Sequence, residues 1–75
     1  MCGIVGIVQQ ENCFTELYDA LIMLQHRGQD AAGMTVCDNG HLHSRKSKGL
    51  VKEVFGQQHF ERLQGTYGVG HVRYP

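Results

Sequence analysis

Apolar and polar positions divide this chain into seven short segments. Ile4, Val5, Ile7 and Val8 are β-branched and fall on both faces of an extended chain. Such a run predicts a strand over 3–8 that is covered on both sides. Residues 9–13 are polar and turn-like. Leu17, Tyr18, Leu21, Ile22 and Leu24 then recur at helical spacing, with Glu16, Asp19, Ala20 and Met23 on the opposite side. The spacing predicts a helix with Thr15 as N-cap, Glu16 in its first turn and Gly28 as its stop, and His26 and Arg27 near its C-terminal carbonyls. A second strand is predicted over 34–37. Asp38-Asn39-Gly40 marks a hairpin, since Asn-Gly accepts the positive φ values of a type I′ turn. The return strand, 41–46, is polar and reads as a sheet edge. Val51, Val54, Phe55, Phe60 and Leu63, interrupted at Gly56, predict two short helices. A final strand over 65–74 sets Gly68, Gly70, Val72 and Tyr74 on one face and Val69, His71 and Arg73 on the other.

Seventy-five residues make at most one small domain. A globule of this size buries only about 60% of its unfolded surface and has little stability in reserve. Six aromatics and no tryptophan give it a thin core. A net charge of zero argues against strong non-specific attraction to nucleic acid or anionic membrane. The longest apolar run, 20–24, is far too short for a membrane span, and no charged-then-apolar leader opens the chain. Three cysteines, Cys2, Cys13 and Cys37, lack any C-x-x-C spacing and fit a reducing, cytoplasmic setting. The chain stops at Val72-Arg73-Tyr74-Pro75, inside a strand-like stretch with no polar tail, so it reads as a fragment of a longer protein.

Cys2 carries the most distinctive chemistry. Removal of Met1 would set a thiol and a free α-amine on one residue. The amine titrates near ~7.7–8.0 and the thiol near ~8.5, so the amine can take the thiol proton and later return it to a leaving group. Gly3 clears space beside the thiol. Residues 25–33 are dense in polar groups, reading either as a helix cap and loop or as a brace in which Arg27 and Asp30 support the nucleophile. Arg73 stands among Val69, Val72 and Tyr74 and needs an anionic partner, either Asp30 or a substrate carboxylate gripped bidentately. His71, on the same face, reads as a satisfied core histidine. His41 and His43 alternate on one strand face but lack the paired ligands of a metal site. Arg45, Lys46 and Lys48 read as a solvated edge. Gly65-x-x-Gly68-x-Gly70 reverses the dinucleotide fingerprint and has no helix behind it.

Met1-Cys2-Gly3-Ile4-Val5-Gly6, the run from Leu24 through Gln25-His26-Arg27-Gly28-Gln29-Asp30 to Gly33, and Gly68-Val69-Gly70-His71-Val72-Arg73-Tyr74-Pro75 together closely resemble the amidophosphoribosyltransferase family of glutamine amidotransferases. Gln29 favours that family over glucosamine-fructose-6-phosphate aminotransferase and asparagine synthetase. The resemblance implies an α+β N-terminal-nucleophile hydrolase fold, an α-β-β-α four-layer sandwich of which residues 1–75 form the N-terminal portion, an incomplete glutaminase domain. It implies that Cys2 attacks the glutamine side-chain amide, that Arg73 holds the α-carboxylate, and that Arg27, Gly28, Asp30 and His71 support them. It further implies a phosphoribosyltransferase domain beyond Pro75, binding magnesium and phosphoribosyl pyrophosphate and receiving the ammonia, in a homo-oligomer that supplies purine synthesis. No cofactor is expected within these residues. An Asn-Gly oxyanion element is expected downstream, so residues 1–75 alone should be poorly stable, associate and turn over no glutamine. The competing reading is a non-catalytic packing or interaction module in which Cys2 is inert.

Overall fold

Four strands of the chain, a computed structural model describing residues 2–25 and 29–74, make one antiparallel sheet. In chain order the elements are β1 (Cys2–Val8), α1 (Phe14–Leu24), β2 (Ala31–Asp38), β3 (His41–Lys48), α2 (Val51–Val54), α3 (Gln57–Arg62) and β4 (Tyr67–Arg73). The strand order is β1-β4-β2-β3. The final strand is therefore interior, paired on both sides. β1 and β3 are the edges.

The β2–β3 hairpin turns as its sequence predicts, with φ of 50° at Asn39 and 83° at Gly40. Both strands run longer than the apolar pattern suggested, because pairing continues to Ala31 opposite Lys48, whatever the polarity of the side chains. The break at Gly56 separates α2 from α3 as expected. The start of α1 differs. Asn12, not Thr15, supplies the cap: its Oδ1 accepts the Phe14 N–H at 3.2 Å and the Gly65 N–H at 3.3 Å. Cys13 becomes the N-cap residue, fully buried, and burial pushes its thiol pKa up. The helix ends at Leu24. The predicted stop at Gly28, and the roles of His26 and Arg27, lie outside the described residues.

All the helical packing falls on one side of the sheet. Leu17 and Leu21 of α1, Val51 and Val54 of α2, and Met34, Val36 and Val72 of the sheet are almost wholly buried together. Phe14 stacks on Tyr18 and meets Phe55 and Phe60 edge-on at 6.1 and 5.4 Å. Gly70 lets α1 settle close, since a Cβ there would stand 3.0 Å from Leu21 Cδ1. Leu21→Ala removes the centre of this contact. It is expected to cost about 2–5 kcal/mol in chemical denaturation, with the denaturant slope unchanged.

The other face of the sheet is open. β1 alternates between exposed and half-buried residues, with Ile4 77% and Val8 84% exposed. The expectation of a strand covered on both sides therefore fails. Among the described residues β1 pairs only with β4, and its second apolar face has nothing above it. No helix among the described residues is long and apolar enough to cross a membrane.

Candidate functional site

Sheet register, not sequence proximity, assembles the site. Cys2 pairs with Arg73, Arg73 with Ala31, and Ala31 with Lys48, forming one row across all four strands. The next row on the same face is Ile4, His71, Gly33 and Lys46. Residues directly opposite in adjacent strands share a face, so these two rows stand side by side on the open surface. They border a shallow depression of about 350 Å³.

Arg73 is anchored by Asp30. Its Nε donates to Oδ1 at 3.1 Å and its Nη2 to Oδ2 at 3.0 Å, a bidentate fork. Asp30 is itself fixed by its backbone, donating N–H to the Arg73 carbonyl at 2.8 Å and accepting from Gly49 N–H at 2.8 Å. The Arg73 hydrogen bond and charge hold the Asp30 carboxyl below its ordinary pKa. In return, Asp30 first and the Cys2 charge least raise that of Arg73. The Arg73 side chain is 58% exposed. It is thus not the buried charge that its apolar neighbours in sequence suggested, because alternation sends Val72 to the core and Arg73 to the open face. Of its two candidate partners, the internal one is present.

His71 is likewise exposed, not a core histidine. Its imidazole lies across Gly33, where a Cβ would collide with His71 Nε2 and stand 3.0 Å from Lys46 Cβ. Gly33 therefore forms a slot for the ring. Gln29 is buried, and its Nε2 donates to the Gly49 carbonyl at 2.5 Å. Gln25 Oε1 accepts the Val51 N–H at 2.9 Å. Together these two amides tie the segment that carries Asp30 to the start of α2. Arg27 and Gly28 lie outside the described residues.

Lys46 and Lys48 had no place in the sequence-derived site, and Gly33 entered it only as the end of the 25–33 segment. Counting pairs back from the two-residue turn at Asn39-Gly40 would have brought them in. Among the described residues no group of three or more His, Cys, Asp or Glu is arranged to hold a metal ion. The site instead sets one exposed thiol beside one anchored guanidinium, with further lysines nearby, on a face suited to a small substrate bearing a carboxylate.

No family model matches the chain. It is similar along its whole length to amidophosphoribosyltransferases: 60% identical over 75 residues to that of Pseudomonas aeruginosa, 55% over 76 to that of Escherichia coli and 47% over 79 to that of Saccharomyces cerevisiae. It covers 15%, 15% and 16% of those relatives, so it spans about one-sixth of their length. Two solved structures superpose with TM-scores of 0.88 at 36% identity, over 99% and 100% of this chain and 16% of theirs. One is described as an allosteric regulatory enzyme of purine biosynthesis, the other as the glutamine phosphoribosylpyrophosphate amidotransferase of B. subtilis complexed with ADP and GMP.

Proposed function

We propose, taking as premise the chain's likeness to amidophosphoribosyltransferases along its entire length, that it is the nucleophile-bearing part of such an enzyme and works in glutamine hydrolysis. The observation that carries this reading is the cross-strand pairing of Cys2 with Arg73. With Met1 removed, the Cys2 α-amine takes the thiol proton and Sγ attacks the side-chain amide carbon of glutamine. The amine returns the proton to the nitrogen as the C–N bond breaks, releasing ammonia and leaving a thioester. Water then attacks the thioester, giving glutamate and the free thiol. Arg73 receives the α-carboxylate, and Asp30 holds the guanidinium in position by two of its nitrogens. In the full-length enzyme, a cytosolic homo-oligomer in this reading, the ammonia passes to a phosphoribosyl-pyrophosphate domain outside these residues.

Glutamine kinetics test the clamp. Arg73→Lys keeps the charge but loses the planar fork, and is expected to raise KM for glutamine roughly tenfold, with ammonia-dependent activity unchanged. Asp30→Asn weakens the anchor and should move the same parameter in the same direction, by less. Unaltered glutamine KM in both folded variants would make the pair structural only.

A further inference from the structure

On the helical side of the sheet, away from Cys2, β3 and α3 enclose a cavity of about 460 Å³. His43 and Arg45 line it from the strand, and His59 and Arg62 from the helix. With Lys46 at its rim, five basic residues thus line it, in a chain whose net charge is zero. Among the described residues the one ion pair is Arg73 with Asp30, so neither Arg45 nor Arg62 has a carboxylate partner. This corrects the picture of Arg45 as part of a solvated edge. Its side chain turns under the sheet, and Nε donates to the Val54 carbonyl at 2.8 Å. That bond fixes the guanidinium and leaves its two Nη groups as donors without partners among the described residues.

His59 is held in a defined state. Its Nδ1 accepts the Gly56 N–H at 2.9 Å, so the neutral ring carries its hydrogen on Nε2, a further donor. Burial first, then the charges of Arg45 and Arg62, push its pKa below the ordinary histidine value. The cavity therefore holds two guanidinium forks and a neutral N–H donor, with no carboxylate of the described residues in ion-pair contact with them. Converging cations without a counter-charge repel one another, and a bound dianion would remove that repulsion.

We propose that this cavity between β3 and α3 is a binding site for a phosphate monoester, gripped by Arg45 and Arg62 and hydrogen-bonded by His59. Planar guanidinium forks match phosphate oxygens bidentately. The cavity also exceeds what a bare phosphate fills, since a small group of about ten atoms occupies a few hundred cubic ångströms at the lower end of ligand pockets. The proposal is independent of the glutaminase reading: it uses none of Cys2, Asp30 or Arg73.

The test is peptide-resolved hydrogen–deuterium exchange on the protein at its natural full length, titrated separately with inorganic phosphate and glycerol 3-phosphate against sodium chloride of matched ionic strength. Saturable slowing of exchange is expected over 42–46 and 57–63, with glycerol 3-phosphate the tighter of the two. Arg62→Gln, at an exposed helix end, should weaken that binding about tenfold or more, the scale of a lost hydrogen bond to a charged group. Arg45→Gln should do the same. Lys52→Gln removes an equal charge on α2, outside the cavity, and should leave binding unchanged. Absence of saturation, or equal weakening by Lys52→Gln and Arg62→Gln, overturns the site. Tighter binding of inorganic phosphate than of the monoester overturns the ligand class.

Discussion

In the full-length enzyme, Cys2→Ala is expected to lower glutamine-dependent amination by a factor on the order of 10⁴ or more, while ammonia-dependent amination persists. The thiol is the only group of the chain that forms a bond to the substrate carbon in the proposed route, so no other side chain substitutes for it when it is gone. In the proposed route the acceptor chemistry lies outside these residues and uses none of those on this face. The fold should hardly register the change, because Cys2 is an exposed residue at the end of an edge strand. Initial rates with glutamine and with ammonia, alongside a circular dichroism melt, separate the outcomes. Equal loss of both activities in a folded variant would remove Cys2 from the nucleophile's role. Retained glutamine turnover would do so more directly.

The second large effect falls on the fold. Gly65→Ala is expected to cost more than about 3 kcal/mol, the upper end of ordinary overpacking. At this chain length that is a fall in melting temperature of more than about 10 °C. Gly65 is buried, and a Cβ there would run into the Cys37 carbonyl oxygen and stand 2.8 Å from its carbon and 3.0 Å from its nitrogen. The obstacle is backbone inside a strand, which cannot swing aside like the end of a side chain. Gly65 also accepts from Cys13 N–H at 2.8 Å and donates to Asn12, so any shift of the segment disturbs the start of α1. Gly40→Ala is the control. Its φ of 83° favours glycine, but nothing lies within 4 Å, so the cost should be about 1 kcal/mol. Comparable melting temperatures for the two alanine variants would show that the 65–37 contact is loose in solution.

Local signals in the sequence carried well. The Asn39-Gly40 turn, the break at Gly56 and the two faces of β4 all follow from short-range chemistry, and the structure has each of them. What did not carry was anything decided by a distant partner. Ile4 and Val8 read as buried because β-branched residues usually are, but pairing puts β1 at an edge with an open face. Thr15 looks like a cap by residue type, yet the helix already starts at Phe14, whose N–H Asn12 accepts while also holding Gly65, far along the chain. Arg73 and His71 read as buried from their neighbours in sequence, whereas strand alternation turns them outward. The candidate site divides in the same way. Cys2, Arg73 and Asp30 announce themselves by residue type, while Lys46 and Lys48 enter only through register. Asn-Gly fixes that register for β2 and β3, but nothing local reveals that β4 inserts between β1 and β2.

That insertion carries a consequence for timing. The β2–β3 hairpin closes through adjacent residues and can form early, whereas β1 has no partner among the described residues until β4 exists, and β4 is the last of the seven described elements. Loop closure of that span is entropically costly and slow compared with a hairpin. During synthesis the first strand must therefore wait for β4 while everything between the two is made. Until then Cys2 sits on a loose segment, with neither the guanidinium opposite nor a rigid strand beneath it. The arrival of a single strand, β4, brings both at once, so Cys2 acquires the surroundings described above only once β4 has paired.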